Sequence, residues 1–221
     1  MASSRMKAAL RLGLSRPHAA TLAALTTPEK IQDFVVALPT NFEPGGDTCL
    51  SVAETLRQRQ AHCIEGAFVA ACALWISGTP PLLMDFQSGG GDDDHVVALF
   101  RHGRCWGAIS KSNHIWLRWR DPIYRSLREL AMSYFHEYVL GPKKTLRRYS
   151  RPFDLRRFDP GAWVTNKDNC WDVTEAVDLS RHYPLLTASQ ARRLKPRDPT
   201  ELQGGKIVQF SAPNAATALR Y

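Results

Sequence analysis

Between Cys63 and Ser77 the apolar residues Ile64, Ala67, Phe68, Ala71, Leu74 and Trp75 recur at helical spacing. Gly66, Ala67, Ala70, Ala71 and Ala73 make this helix slim enough for close packing, and Gly78-Thr79-Pro80-Pro81 ends it. Upstream, Thr27-Pro28-Glu29 gives a capping hydroxyl, proline at the first helical position and an acid. These predict a helix with Ile31, Phe34 and Val35 on one face. Pro39 to Asp47 has loop composition. Ser51 with Glu54 three residues on predicts a capping box and a second helix to about Arg59.

Beyond the slim helix, Leu82 to Phe86 reads as a strand and Gln87 to Asp94 as a glycine- and aspartate-rich loop. His95 to Phe100 and Arg104 to Ile109 read as a hairpin turning at His102-Gly103. Ile123 to Val139 has the pattern of a long amphipathic helix with Leu127, Leu130, Tyr134 and Tyr138 inward. Short strands are expected at Phe153 to Leu155, Ala162 to Val164 and Ile207 to Phe210. The fold class is therefore α+β, with the Cys63 helix packed on an antiparallel sheet. Residues 1–25 read as a tail or loose helix, 26–185 as the domain and 186–221 as a loosely attached C-terminal tail.

Composition narrows the partners. No run of 18 apolar residues occurs, so no membrane-spanning helix is expected. The five cysteines are odd in number and contain no CxxC pair, which argues against a disulfide framework or structural zinc and for a reducing compartment. The N-terminal stretch carries Arg5, Lys7, Arg11 and Arg16 without an acid, as transit peptides do. Lys7 and Arg11 break any secretory apolar core, and a cytoplasmic location is the expectation. The net charge of +8 draws on a second basic stretch, Lys143 to Arg157, which is either a solvated face or a phosphate-tracking one.

A cysteine at a helix start has a chemical use. Unpaired N–H groups and the helix dipole stabilise its thiolate, the attacking form. Cys63 has that position; Cys72 lies mid-helix and Cys105 in a strand. Gln58 and Gln60 lie just upstream, where an amide can donate to an oxyanion. His62 and Glu65 flank the cysteine, but neighbours along a helix point apart. His95, at the mouth of an apolar strand, is the candidate base. The Asp92-Asp93-Asp94 run invites a calcium or magnesium reading, and His95, His102 and His114 a transition-metal one. Consecutive carboxylates cannot converge on one ion, so the loop reads instead as a mobile surface beside the site. Neither a metal nor a cofactor is expected.

The order Gln58-Arg59-Gln60-Ala61-His62-Cys63, slim helix, Gly78, apolar strand, Asp94-His95-Val96-Val97-Ala98-Leu99, then Gly103-Arg104-Cys105-Trp106-Gly107-Ala108-Ile109 resembles the transglutaminase-like superfamily over about residues 26–155. It is most similar to an uncharacterised bacterial branch. The resemblance implies a papain-like core with Cys63 as nucleophile, His95 as base and an aspartate on the returning strand. Here Ser110 stands at the aspartate's distance from Trp106. Asn113, whose amide oxygen can hold an imidazole, and Asp121 are the other candidates for that role.

Three functions follow. The first is a thiol hydrolase or acyltransferase of protease, deamidase or transglutaminase type, acting on peptide or protein amides through a Cys63 acyl-enzyme. The second is a binding module that keeps the fold without the chemistry. The third is a nucleic-acid-associated protein using the 143–157 face, with Tyr149 and Phe153 interleaved among its cations.

Overall fold

The computed structural model describes residues 2–212. In chain order its helices and strands are α1 (Ala2–Arg11), α2 (Arg16–Ala24), α3 (Pro28–Ala37), α4 (Val52–Gln58), α5 (Cys63–Ile76), β1 (Leu82–Gln87), β2 (His95–His102), β3 (Cys105–Ile109), β4 (Arg120–Tyr124) and α6 (Leu127–Met132). They continue with β5 (Val139–Leu140), β6 (Lys143–Lys144), β7 (Arg148–Ser150), β8 (Phe153–Asp154), α7 (Trp171–Asp178), β9 (His182–Pro184), α8 (Ala188–Arg192) and α9 (Pro199–Gly204). The fold is α+β. The main sheet runs β4-β3-β2-β1-β7-β9, with β8 also paired to β1, and its pairings are antiparallel.

The sheet separates two cores. Alternation along β1 and β2 sends Leu83, Val96, Ala98 and Phe100 toward the helical layer built on α5. Met84, Phe86, Val97 and Leu99 point the other way, onto Leu130, Tyr134, Phe135 and Tyr138. α5 is apolar all round and enclosed, with its residues from Ile64 to Leu74 buried. Its slimness is used: a Cβ added at Gly66 would stand 2.3 Å from the Cβ of Lys111, just past β3. That close approach brings the first turn of α5, and Cys63 with it, against the open end of the β2–β3 hairpin. No helix among the described residues is long and apolar enough to cross a membrane.

Several expected elements differ. Residues 1–25 are no loose tail: α1 and α2 bury Ala9, Leu14, Ala19 and Leu22 against the α5 layer, while Lys7 and Arg11, which interrupt the apolar pattern, lie on the outer face. The long helix expected over 123–139 becomes β4 followed by the short α6. Ser126 caps the helix with Glu129 in a reciprocal capping box, and Ser133 Oγ donates to the Leu130 carbonyl at its end (2.6 Å). The inward residues Leu130, Tyr134 and Tyr138 are nonetheless buried. Pro160–Ala162 is a 3₁₀ turn capped by Asp159, in place of a strand starting at Ala162. Ile207 to Phe210 makes a single bridge, His114 to Val208, and no strand. The C-terminal stretch is hydrogen-bonded to the body at several points; its residues 213–221 lie outside the described residues.

Candidate active site

Cys63 is the first residue of α5, and His62 is its N-cap, with extended backbone (φ −96°, ψ −167°). Because His62 is not helical, the rule that neighbours diverge does not apply, and its ring folds back onto the Cys63 thiol. Its Nε2 lies 2.9 Å from the Thr48 carbonyl oxygen, which can only accept, so Nε2 carries a hydrogen. Glu65, fully buried one turn along α5, fixes this cap. Its carboxylate accepts from His62 N (2.9 Å), Leu50 N (3.1 Å), Thr48 Oγ1 (2.9 Å) and Asn41 Nδ2 (3.2 Å), and lies 3.4 Å from His62 Nε2.

His95 opens β2, buried, with its ring edge toward Tyr138. Its Nε2 is 2.7 Å from Ser110 Oγ. That hydroxyl donates its one hydrogen to the Leu117 carbonyl (2.6 Å), so it accepts from His95. The tautomer follows: Nε2 is protonated and Nδ1 is the free nitrogen. Ser110 is itself clamped. Gln32 of α3 accepts from Ser110 N and donates to Ser110 O, both at 2.9 Å.

The thiol therefore sits between two imidazoles. Burial pushes the Cys63 ionisation up, but His62 and then His95 outweigh this through hydrogen bonding and charge, bringing it down to about 5. Burial alone would lower His62; the bond to Cys63, the thiolate and Glu65 charges and the Thr48 carbonyl carry it up to about 10 instead. Cys63 and His62 thus form a thiolate–imidazolium pair at neutral pH. Cys72, with burial and no imidazole beside it, is pushed up to about 12 instead. Cys49 and Cys170 are also buried.

Cys63, His62 and His95 line one cavity of about 600 Å³, together with Asp92–Asp94, Lys111–His114, Glu137–Gly141 and part of residues 197–206. The other sequence candidates go elsewhere. Asn113 does not hold His95; its amide pairs both ways with the Phe210 backbone, at 2.9 Å each. Asp121 is exposed and accepts from Trp119 Nε1. Gln58 is exposed at the end of α4, Gln60 donates weakly to it (3.4 Å), and neither lines the cavity, so they supply no oxyanion donor. Left-handed Arg59 (φ 56°) turns the chain between them.

The 88–94 loop is beside the site but tied down. Thr145 Oγ1 donates to the Asp92 carboxylate, Tyr138 OH to the Asp93 carbonyl (2.6 Å) and Ser88 N to Asp94 Oδ1 (2.7 Å). Among the described residues no three His, Cys, Asp or Glu side chains are grouped to hold a metal ion. On the 143–157 face Phe153 is buried, and half-buried Tyr149 packs on Tyr183. Arg156 is paired with Asp154, and Lys144 and Arg147 donate to backbone carbonyls of their own chain.

Sequence reading missed the roles of His62, Glu65, Gln32 and Thr48. For His62 a signal existed: a residue that precedes the first helical position and is followed three places on by Glu occupies a cap, where side chains turn back. Gln32 and Thr48 reach the site only through tertiary packing.

The α+β fold thus places a thiol at a helix N-terminus, between two histidines and over a cavity. No family model and no curated protein matches the sequence. Among solved structures, EGTA-treated LapG of Legionella pneumophila is similar to this chain at 16% identity, covering 49% of this chain and 68% of its own, with a TM-score of 0.35. A likeness that loose assigns no family.

Proposed function

We propose that this protein is a thiol hydrolase or acyltransferase of the transglutaminase-like kind, working on peptide or protein amides through a Cys63 acyl-enzyme. The observation that carries this reading is the ionisable Cys63 thiol facing the cavity between His62 and His95. The two histidines have different tasks. His62, held charged by the thiolate and Glu65, stabilises the nucleophile and is too basic to shuttle protons at neutral pH. His95 keeps Nδ1 free because Ser110 occupies Nε2, so it is the shuttle, and Ser110 takes the place of the family's aspartate as a neutral orienting group. Gln32 and the Leu117 carbonyl make up in rigidity for the charge that serine lacks.

In this mechanism the Cys63 thiolate bonds to the substrate carbonyl carbon. The C–N bond breaks, and the amine leaves with a proton taken from solvent and relayed by His95 Nδ1. Water or a second amine then attacks the thioester, giving its proton to His95 as the Cys63 sulfur departs. The oxyanion faces the first N–H groups of α5, which have no acceptor within the helix, and Gln58 and Gln60 play no part. Intact mass measurement after mixing with activated amides or thioesters tests the scheme. An acyl adduct mapped to Cys63 is expected, transient in the native chain and longer-lived by about tenfold or more in His95→Ala, because deacylation has lost its base. A chain that gains no adduct, or gains it in Cys63→Ala, contradicts it.

A further inference from the structure

Residues 186–212 cross from β9 back over the cavity, and none of them is buried. In the final stretch Ile207 and Val208 are 50% and 41% exposed, and Phe210 is half-buried. Leu186 and Leu194 anchor its first part on the second core, and the rest is held mainly by hydrogen bonds. Arg197 N donates to the Pro142 carbonyl (3.0 Å), Lys144 Nζ to that of Lys195 (2.9 Å), and Trp116 Nε1 to that of Gly204 (3.4 Å). Residues 207–210 then lie antiparallel to 113–114. Val208 bridges His114, Gln209 N donates to the Asn113 carbonyl (3.0 Å), and the Asn113 amide satisfies both the N–H and the C=O of Phe210. Arg118 holds the Gln209 side chain (2.6 Å) and Lys111 lies over the Phe210 ring (5.0 Å). Arg197, Glu201 and Leu202 of the same segment line the cavity that contains Cys63.

An extended peptide can be recognised by the same kind of contacts: a bridge and a main-chain hydrogen bond to the exposed 113–114 backbone, with an amide side chain reading backbone rather than sequence. The edge sits three residues past Ser110, the residue that holds His95. The final stretch 207–210, bound mainly through hydrogen bonds and with no fully buried side chain, is exchangeable for another of the same shape. We propose that the Lys111–His114 edge is the docking site for an extended peptide substrate, and that residues 207–210 occupy it as a displaceable internal strap. This rests on the reading of Cys63 as nucleophile. It also accounts for Asn113, a cavity residue whose amide has no contact with His95.

The test uses the full chain and Gln209→Pro, which removes the N–H given to Asn113 and cannot pair in a ladder. Three probes are applied: iodoacetamide, a tetrapeptide chloromethyl ketone, and a labelled peptide with the sequence of residues 205–212. In Gln209→Pro the chloromethyl ketone should label Cys63 about tenfold faster than in the native chain, the shift expected when one or two hydrogen bonds no longer compete. Iodoacetamide, too small to need the edge, should label both proteins alike. The labelled peptide should bind the variant and slow amide exchange at 112–114. Equal chloromethyl ketone rates in the two proteins with iodoacetamide labelling intact would overturn the strap, as would a variant that fails to fold, since a displaceable segment cannot be needed for folding. If iodoacetamide spares Cys63 in both proteins, the nucleophile reading fails, and binding of the 205–212 peptide still decides the edge: no binding overturns it.

Discussion

Replacing His62 with alanine should slow alkylation of Cys63 at pH 6 by about tenfold or more, because the thiol loses its strongest stabilising partner and returns toward the ordinary cysteine range near ~8.5. The sign follows from the ion pair. In the native chain the thiol ionises near about 5, so at pH 6 most of it is already thiolate. In the variant His95 alone opposes the burial that pushes the thiol up, and the thiolate fraction at pH 6 becomes small. At pH 10 both proteins are ionised and their rates should converge; the less basic thiolate of the native chain is then the weaker nucleophile. That convergence separates loss of ionisation from loss of structure. Rates that differ equally at both pH values would point to a misfolded site instead.

The second large effect is on stability. Glu65 is fully buried, and both of its oxygens face donors: Thr48 Oγ1, Leu50 N and Asn41 Nδ2 on one, His62 N and Asn41 Nδ2 on the other. Glu65→Ala leaves these donors and the His62 imidazolium without their acceptor inside the protein, and should cost about 3–5 kcal/mol in denaturant unfolding, the range for breaking a buried charged pair. Glu65→Gln should not rescue it, since an amide must turn its NH₂ group toward donors on one side. An exposed carboxylate such as Asp121, which accepts from Trp119 Nε1, should cost less than about 1 kcal/mol when removed. A Glu65→Ala loss within that surface range would mean that the cap of α5 is not held as described.

The comparison of these two residues shows where sequence reading stops. The Cys63 helix, the hairpin and their antiparallel packing were legible, because apolar periodicity of 3.6 and of 2 is a local signal that burial then enforces. Thr27 and Ser51 cap their helices where the pattern placed them. Ser110 stands out by its distance from Trp106, but a serine hydroxyl is shorter and a weaker orienter than an amide such as that of Asn113. Sequence could not show that the Leu117 carbonyl takes its hydrogen or that Gln32, 78 residues away, clamps its backbone. The stretch 123–139 misled because an amphipathic pattern persists through Ser133, where the hydroxyl competes for a helix carbonyl. α1 and α2 escaped notice because small residues such as Ala9 and Ala19 pack tightly without a strong hydrophobic signature.

The central claim is that Cys63 is an ionised nucleophile at neutral pH. It is tested most directly by measuring iodoacetamide alkylation of the intact chain from about pH 3 to pH 10, with the modified cysteine located by mass spectrometry at each point. Cys63 should be labelled first, at a rate that rises through a midpoint of about 5, with Cys49, Cys72 and Cys170 protected by burial. A single rise near the ordinary thiol value of ~8.5, or first labelling at another cysteine, would contradict it.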